Sequence, residues 1–235
     1  MNARIYGDSL MKGTVVDENY RYRAVAAEEI RRFEEQFSMK VENKARFGIT
    51  VEKGRRILER DMQSDTPPQY ALIEFGGNDC NFDWRQISEK PNEAHEPFTG
   101  LEKFEEDIAF MVDNLQKAGT RPVLMTLPPI DAEQYFSFIS RNGNDGKSIL
   151  RWLGDVHMIY RFHELYSNIL AKLALKTDTP LIDVRSKFLL NHNFKKMIGI
   201  DGIHLNREGY ALLFETIREF TAERLPKSGG VSFAS

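Results

Sequence analysis

Cysteine is nearly absent from this sequence. Among 235 residues only Cys80 occurs, which excludes an internal disulfide and any metal site built on several thiolates. Long apolar runs are missing too, and none approaches the roughly 20 residues that a membrane-crossing helix requires. Neither charge dominates: 32 Lys and Arg against 35 Asp and Glu leave a net charge of −3. The chain therefore has no basic footprint for nucleic acid, and acidic partners are not favoured. No basic stretch, apolar core or small-residue cleavage site precedes the first strand-like residues, and the simplest expectation from that is a cytoplasmic protein. No histidine and carboxylate group has convincing metal-ligand spacing, so no metal is expected.

What is present is an ordinary globular composition, 41% hydrophobic and 29% charged, in a length that suits one domain burying roughly three quarters of its unfolded surface. That domain is expected to span residues 1–226, with a polar tail at 227–235. The chain turns on Gly7-Asp8-Ser9-Leu10, which follows directly on a strand-like Ala3-Arg4-Ile5-Tyr6. A serine just past the end of a strand can point its hydroxyl into the crevice where open α/β sheets bind ligands. Serine is a weak nucleophile unaided, so it needs a base, a group to orient that base, and donors for the oxyanion.

From Leu10 onward, residues 11–19 read as a polar loop, and Tyr22, Ala26, Ile30, Phe33 and Phe37 keep the three-and-four spacing of one helix face. A short strand over 39–46 leads through Gly48 to a helix carrying Val51, Ile57 and Leu58. Residues 70–75 are a near-continuous apolar strand of the buried parallel kind, ending at Gly76-Gly77-Asn78-Asp79. Residues 80–98 read as a long loop beside the site. Thr99 with Glu102 predicts a capping box for a helix that turns Leu101, Phe104, Ile108, Met111 and Leu115 inward and stops at Gly119. A strand over 122–127 follows, then an irregular aromatic stretch, 130–158, long enough to be a lid or to hold structure of its own. A helix with Phe162, Leu165, Ile169 and Leu173 inward leads to a fifth strand at 180–184. Asn206 is placed to cap a last helix with Tyr210, Leu213, Ile217 and Phe220 on its buried stripe.

Five strands alternating with helices predict a three-layer α/β/α sandwich around a parallel sheet. If the strand order is the flavodoxin-like 2-1-3-4-5, the crevice opens between the first and third strands, with Ser9 ending one wall and Asn78 the other. His204 is the best of five histidines as base, because Asp201, three residues earlier in a glycine-containing turn, can fold back on the imidazole and fix its tautomer. His157 and His163 are competitors better read as packed or solvated, and His95 and His192 have no acid at useful spacing. The amides of Ser9 and Gly48 and the side chain of Asn78 can supply oxyanion donors from three strand ends. Asp8 reads as a brace for the nucleophile turn, Asp79 as structural, and Cys80 as a buried, inert thiol.

Four blocks in one order, Gly7-Asp8-Ser9-Leu10, Asn43 with Gly48, Gly76-Gly77-Asn78-Asp79 and Asp201-Gly202-Ile203-His204, resemble the SGNH hydrolases, also called GDSL esterases and lipases. The resemblance implies a flavodoxin-like five-stranded SGNH hydrolase fold, with Ser9 as nucleophile, Gly48 and Asn78 as oxyanion donors, His204 as base and Asp201 as its partner. It implies an esterase acting on small-molecule esters through an acyl-enzyme, with no cofactor. The reading leans towards short acyl groups, such as acetyl on a carbohydrate, over the long chains of a lipase or lysophospholipase. An acyltransferase on the same fold and a catalytically silent carbohydrate-binding module are the rivals.

Overall fold

The computed structural model describes residues 1–224 apart from 65 and 142, and the tail expected at 227–235 lies outside the described residues. Its strands are β1 (Asn2–Gly7), β2 (Thr14–Val16), β3 (Tyr22–Ala24), β4 (Lys40–Asn43), β5 (Tyr70–Glu74), β6 (Arg121–Met125) and β7 (Leu181–Ile182). Its helices are α1 (Ala26–Phe37), α2 (Val51–Ser64), α3 (Trp84–Glu89), α4 (Leu101–Lys117), α5 (Ala132–Ile139), α6 (Gly146–Leu153), α7 (Met158–Lys176), α8 (Val184–Leu189) and α9 (Arg207–Arg224). The main sheet is parallel and runs β4-β1-β5-β6-β7. Numbered within that sheet, this is the 2-1-3-4-5 order.

Side chains alternate across the strands, and so sort into two cores. Tyr6, Ala71, Ile73 and Leu124 face a layer made by α2, α4 and α7. Ile5, Leu72, Val123 and Met125 face the layer of α1, α8 and α9. Fully burying one such aliphatic or aromatic side chain stabilises by about 1.5–3 kcal/mol, so two packed faces hold the sheet rigid while its upper edge is left to irregular loops. Register makes that edge level: Gly7 pairs with Glu74, so the chain leaves β1 and β5 side by side and sets Ser9 and Asn78 on adjacent walls.

Several local expectations change. Residues 11–19 are not wholly loop: β2 pairs antiparallel with β3, Val16 opposite Tyr22, and Tyr20 turns the hairpin with φ +57. Tyr22 therefore belongs to a strand and α1 starts only at Ala26. The loop at 80–98 contains α3, while 130–158 does hold structure of its own, α5 and α6. Thr99 does not cap α4, whose N-cap is Gly100; its hydroxyl donates instead to Asp79 at 2.6 Å. Leu101 and Leu165 are exposed. On α7 the inner face carries His163 and Tyr166, where Arg185 meets one ring nitrogen of His163 and the Thr99 carbonyl accepts from the Tyr166 hydroxyl. Gly119 does end its helix region with φ +79, and Asn206 accepts the Gly209 amide at the start of α9.

A third apolar cluster lies above the sheet edge. It joins Phe82, Trp84 and Ile87 to Ile130, Tyr135, Ile149 and Ile159. Each short helix feeding it is capped by an aspartate: Asp83 on α3, Asp131 on α5 and Asp145 on α6 accept amides of their first turns.

Candidate active site

Ser9 sits in a turn braced by Asp8, whose Oδ1 accepts the Leu10 amide at 2.9 Å. His204 comes from the loop before α9. There Ile198 bridges Leu205, the Gly199 amide donates to the His204 carbonyl at 2.6 Å, and the Gly202 amide donates to Gly199. Gly202 has φ +82, and a Cβ on it would stand 2.3 Å from the Tyr135 nitrogen. Only glycine allows that turn to lie so close to the first residues of α5. Asp201 is fully buried and accepts the amides of Ile203 and His204 on Oδ1, at 3.2 and 3.0 Å.

These turns bring three side chains into line. His204 Nδ1 lies 2.6 Å from Asp201 Oδ2, and His204 Nε2 lies 2.9 Å from Ser9 Oγ. A carboxylate only accepts, so the ring proton sits on Nδ1 and Nε2 is left to accept from the serine. Burial alone would raise the Asp201 carboxyl, but the hydrogen bonds and charge of His204 and the two amides hold it below the usual carboxylate range.

Asn78 donates Nδ2 to Asp8 Oδ2 at 3.0 Å, which leaves its second amide hydrogen for the cavity. The Ser9 and Gly48 amides donate to no acceptor among the described residues. Gly48, with φ +71, is exposed and outside the cavity lining, where its neighbour Phe47 stands instead. Beneath Ser9 lies Glu74. Its Oε2 faces the Asp8 amide at 3.5 Å, and burial and the Asp8 charge push its carboxyl well above the usual range. Asp79 braces the next turn, accepting the Val51 amide at 3.0 Å and the Thr99 hydroxyl. Cys80 is buried, its thiol is raised by desolvation and directed at the Gly77 carbonyl, and it is accordingly inert.

All of this opens on one cavity of about 210 Å³. Ser9, His204 and Asn78 form its sheet side, and Phe82, Trp84, Tyr135, Phe138, Ile159 and Phe162 form its helical side. Sequence reasoning missed Tyr22 as a neighbour of the site. Its ring lies 5.2 Å from that of His204, Phe47 stacks on the same imidazole at 5.9 Å and 11°, and the two aromatics touch each other. The Tyr22 hydroxyl faces Asp201; burial and that charge push it up to about 12. Turn residues at 17–20 between Val16 and Tyr22 were the available signal for this hairpin. Of the other histidines, His163 reaches the cavity floor, whereas His157 is exposed beside Asp155 and His95 is half-buried against the Lys90 carbonyl and Trp152. Among the described residues, no group of three or more His, Cys, Asp or Glu could hold a metal ion, and no helix is long and apolar enough to cross a membrane.

Fold and site together define an α/β protein with a serine, a histidine and an aspartate aligned at the carboxyl edge of its sheet. The chain belongs to the GDSL-like lipase/acylhydrolase family, whose pattern it matches over residues 5–212. It is similar in structure to a lipase/acylhydrolase from Enterococcus faecalis, with a TM-score of 0.67 and 17% identity over 97% of this chain and 99% of that one. It also resembles an acetylxylan esterase from Geobacillus stearothermophilus, with a TM-score of 0.61 and 18% identity over 93% of each chain. In sequence it is 23% identical over 229 residues to an uncharacterized lipoprotein of Bacillus subtilis, covering 91% of this chain and 86% of that protein. This relative corrects the expectation of a cytoplasmic protein: a chain so similar along its length is a lipoprotein, and the opening residues do not decide the matter.

Proposed function

We propose that this protein is a carboxylic ester hydrolase working through an acyl-enzyme on Ser9. One observation carries the reading: a single imidazole bridges Ser9 Oγ at 2.9 Å and Asp201 Oδ2 at 2.6 Å inside a lined cavity. Ser9 attacks the ester carbonyl while His204 Nε2 takes its proton. Asp201 stabilises the imidazolium, and the free hydrogen of Asn78 with the Ser9 amide meets the developing oxyanion. His204 then returns the proton to the departing alcohol, and water repeats the cycle on the acyl group. Gly48, whose amide has no acceptor of its own among the described residues, is the further candidate oxyanion donor.

The substrate follows from the two flanks of Ser9. The cavity is small and closed by aromatic rings, which suits a compact acyl group. Phe47 and Tyr22, 49% and 38% exposed, offer ring faces at the mouth for a large alcohol such as a sugar. Assay of wild type and Ser9→Ala on nitrophenyl esters from acetate to a long-chain acyl group tests this. Turnover of the short esters that disappears in the variant is expected; equal turnover in both, or none on any ester, would reject the hydrolase.

A further inference from the structure

The floor of the cavity holds a second histidine. His163 is only 5% exposed, yet it lines the same cavity as Ser9. Its Nδ1 lies 3.4 Å from Nη1 of Arg185. A guanidinium carries donors and no acceptor, so Nδ1 accepts and the ring proton is placed on Nε2. Arg185 is itself fixed, donating to the Leu127 carbonyl at 3.1 Å and pairing with Glu164. Burial and the adjacent guanidinium push His163 down to about 3, which keeps the ring neutral. Its Nε2–H meets no acceptor among the described residues, so the donor is free for an oxygen brought in by the substrate.

Topology says which half of an ester reaches it. His204 must hand its proton to the leaving oxygen, so the alcohol lies on the His204 side, beside Phe47, which follows β4 on one flank of β1. Leu127 follows β6 on the other flank, and Phe162 and His163 pack there. The acyl carbon stays on Ser9 after the alcohol has gone, so the acyl chain takes the closed flank.

We propose that His163 is the specificity-determining residue for the acyl group: its Nε2–H donates to an oxygen on the acyl chain, and the substrate class is esters of hydroxy, alkoxy or oxo acids. This rests on the ester-hydrolase reading. The test uses nitrophenyl alkanoates and their isosteres in which one methylene at successive positions is replaced by an ether oxygen or a carbonyl. For each pair, the ratio of kcat/KM is measured in wild type, His163→Phe and His163→Gln. At one position the wild-type ratio should exceed that of His163→Phe by about ten- to a hundredfold, and His163→Gln, which keeps an N–H donor, should recover part of it. Equal ratios in wild type and His163→Phe at every position would overturn the proposal. Should neither variant fold, a wild-type enzyme indifferent to the oxygen at every position overturns it just as well. Failure of the underlying reading looks different: no ester of either kind is turned over, or Ser9→Ala is as active as wild type.

Discussion

The cavity has two halves built on different physical terms. On the sheet side, Ser9, Asn78 and the Asp201–His204 turn are held by short hydrogen bonds to backbone and to one another, on strands packed on both faces. On the helical side, Phe82 meets Phe162 at 4.8 Å and Trp152 at 5.0 Å between ring centroids, and Trp84 meets Tyr135 at 6.2 Å. Among these rings the polar anchor is Asn81, which accepts from the Trp84 indole and the Tyr135 hydroxyl. Hydrogen bonds fix directions; ring packing fixes volume. Changes on the sheet side should therefore lower turnover of every ester alike, and changes on the helical side should reorder the esters.

The largest expected effect tests the sheet side. Asn78→Ala removes the side-chain donor and leaves Asp8 without its partner at 3.0 Å. Turnover should fall about a hundred- to a thousandfold, by the same factor for acetate and for longer acyl esters. A loss confined to one acyl length would place Asn78 among the groups that set volume and would break the distinction.

A smaller effect is expected across the cavity. Phe162 lines the floor and packs on Phe82 and Trp152, so Phe162→Ala opens space at the closed end. Acetate turnover should stay within a few fold of wild type, while the ratio of hexanoate to acetate rises by about tenfold, the scale of one or two extra methylenes in an apolar pocket. A uniform loss on both esters would mean that the rings hold the sheet-side geometry as well.

The same division separates what could be read in the sequence from what could not. Ser9, Asn78, Asp201 and His204 were legible because each lies at a strand end or in a glycine turn of a sheet whose order follows from alternating strands and helices. The helical side was not. α3 has six residues and α5 and α6 eight each, too short for apolar spacing to complete several turns, and 80–98 and 130–158 read as loop. The legible signal was Asp83, Asp131 and Asp145, each a residue type that caps helix starts. Tyr166 was passed over on α7, and His163 was left as packed or solvated, because polar side chains count against a buried stripe; the partners inside, Arg185 and the Thr99 carbonyl, are distant in sequence. Tyr22 was drawn into α1 by its spacing from Ala26, though pairing with Val16 prevails.

The smallest expected effect concerns stability beneath the sheet-side half. Burial raises Asp79 to about 7, against the hydrogen bonds of Thr99 and the Val51 amide that lower it. Asp8 and Glu74 are raised as well. A carboxyl with a folded pKa above its unfolded one binds its proton more tightly when folded, so it contributes stability that is full below about pH 4 and is lost as pH rises towards 7. Asp201 is shifted the other way and loses its contribution only as pH falls below the ordinary carboxylate range. The wild-type Tm should therefore decline between pH 5 and 8. Asp79→Asn, a near isostere of the protonated acid, removes one of the three raised groups and should decline less. The two Tm curves are expected to meet at the acid end and to separate by a few degrees at pH 8, at about 2–4 °C per kcal/mol for a chain of this size. Parallel curves across the range would show that Asp79 is ionised throughout. The hydrogen bonds from Thr99 and Val51 would then outweigh its burial, and the brace on the turn that follows β5 would be a charged one.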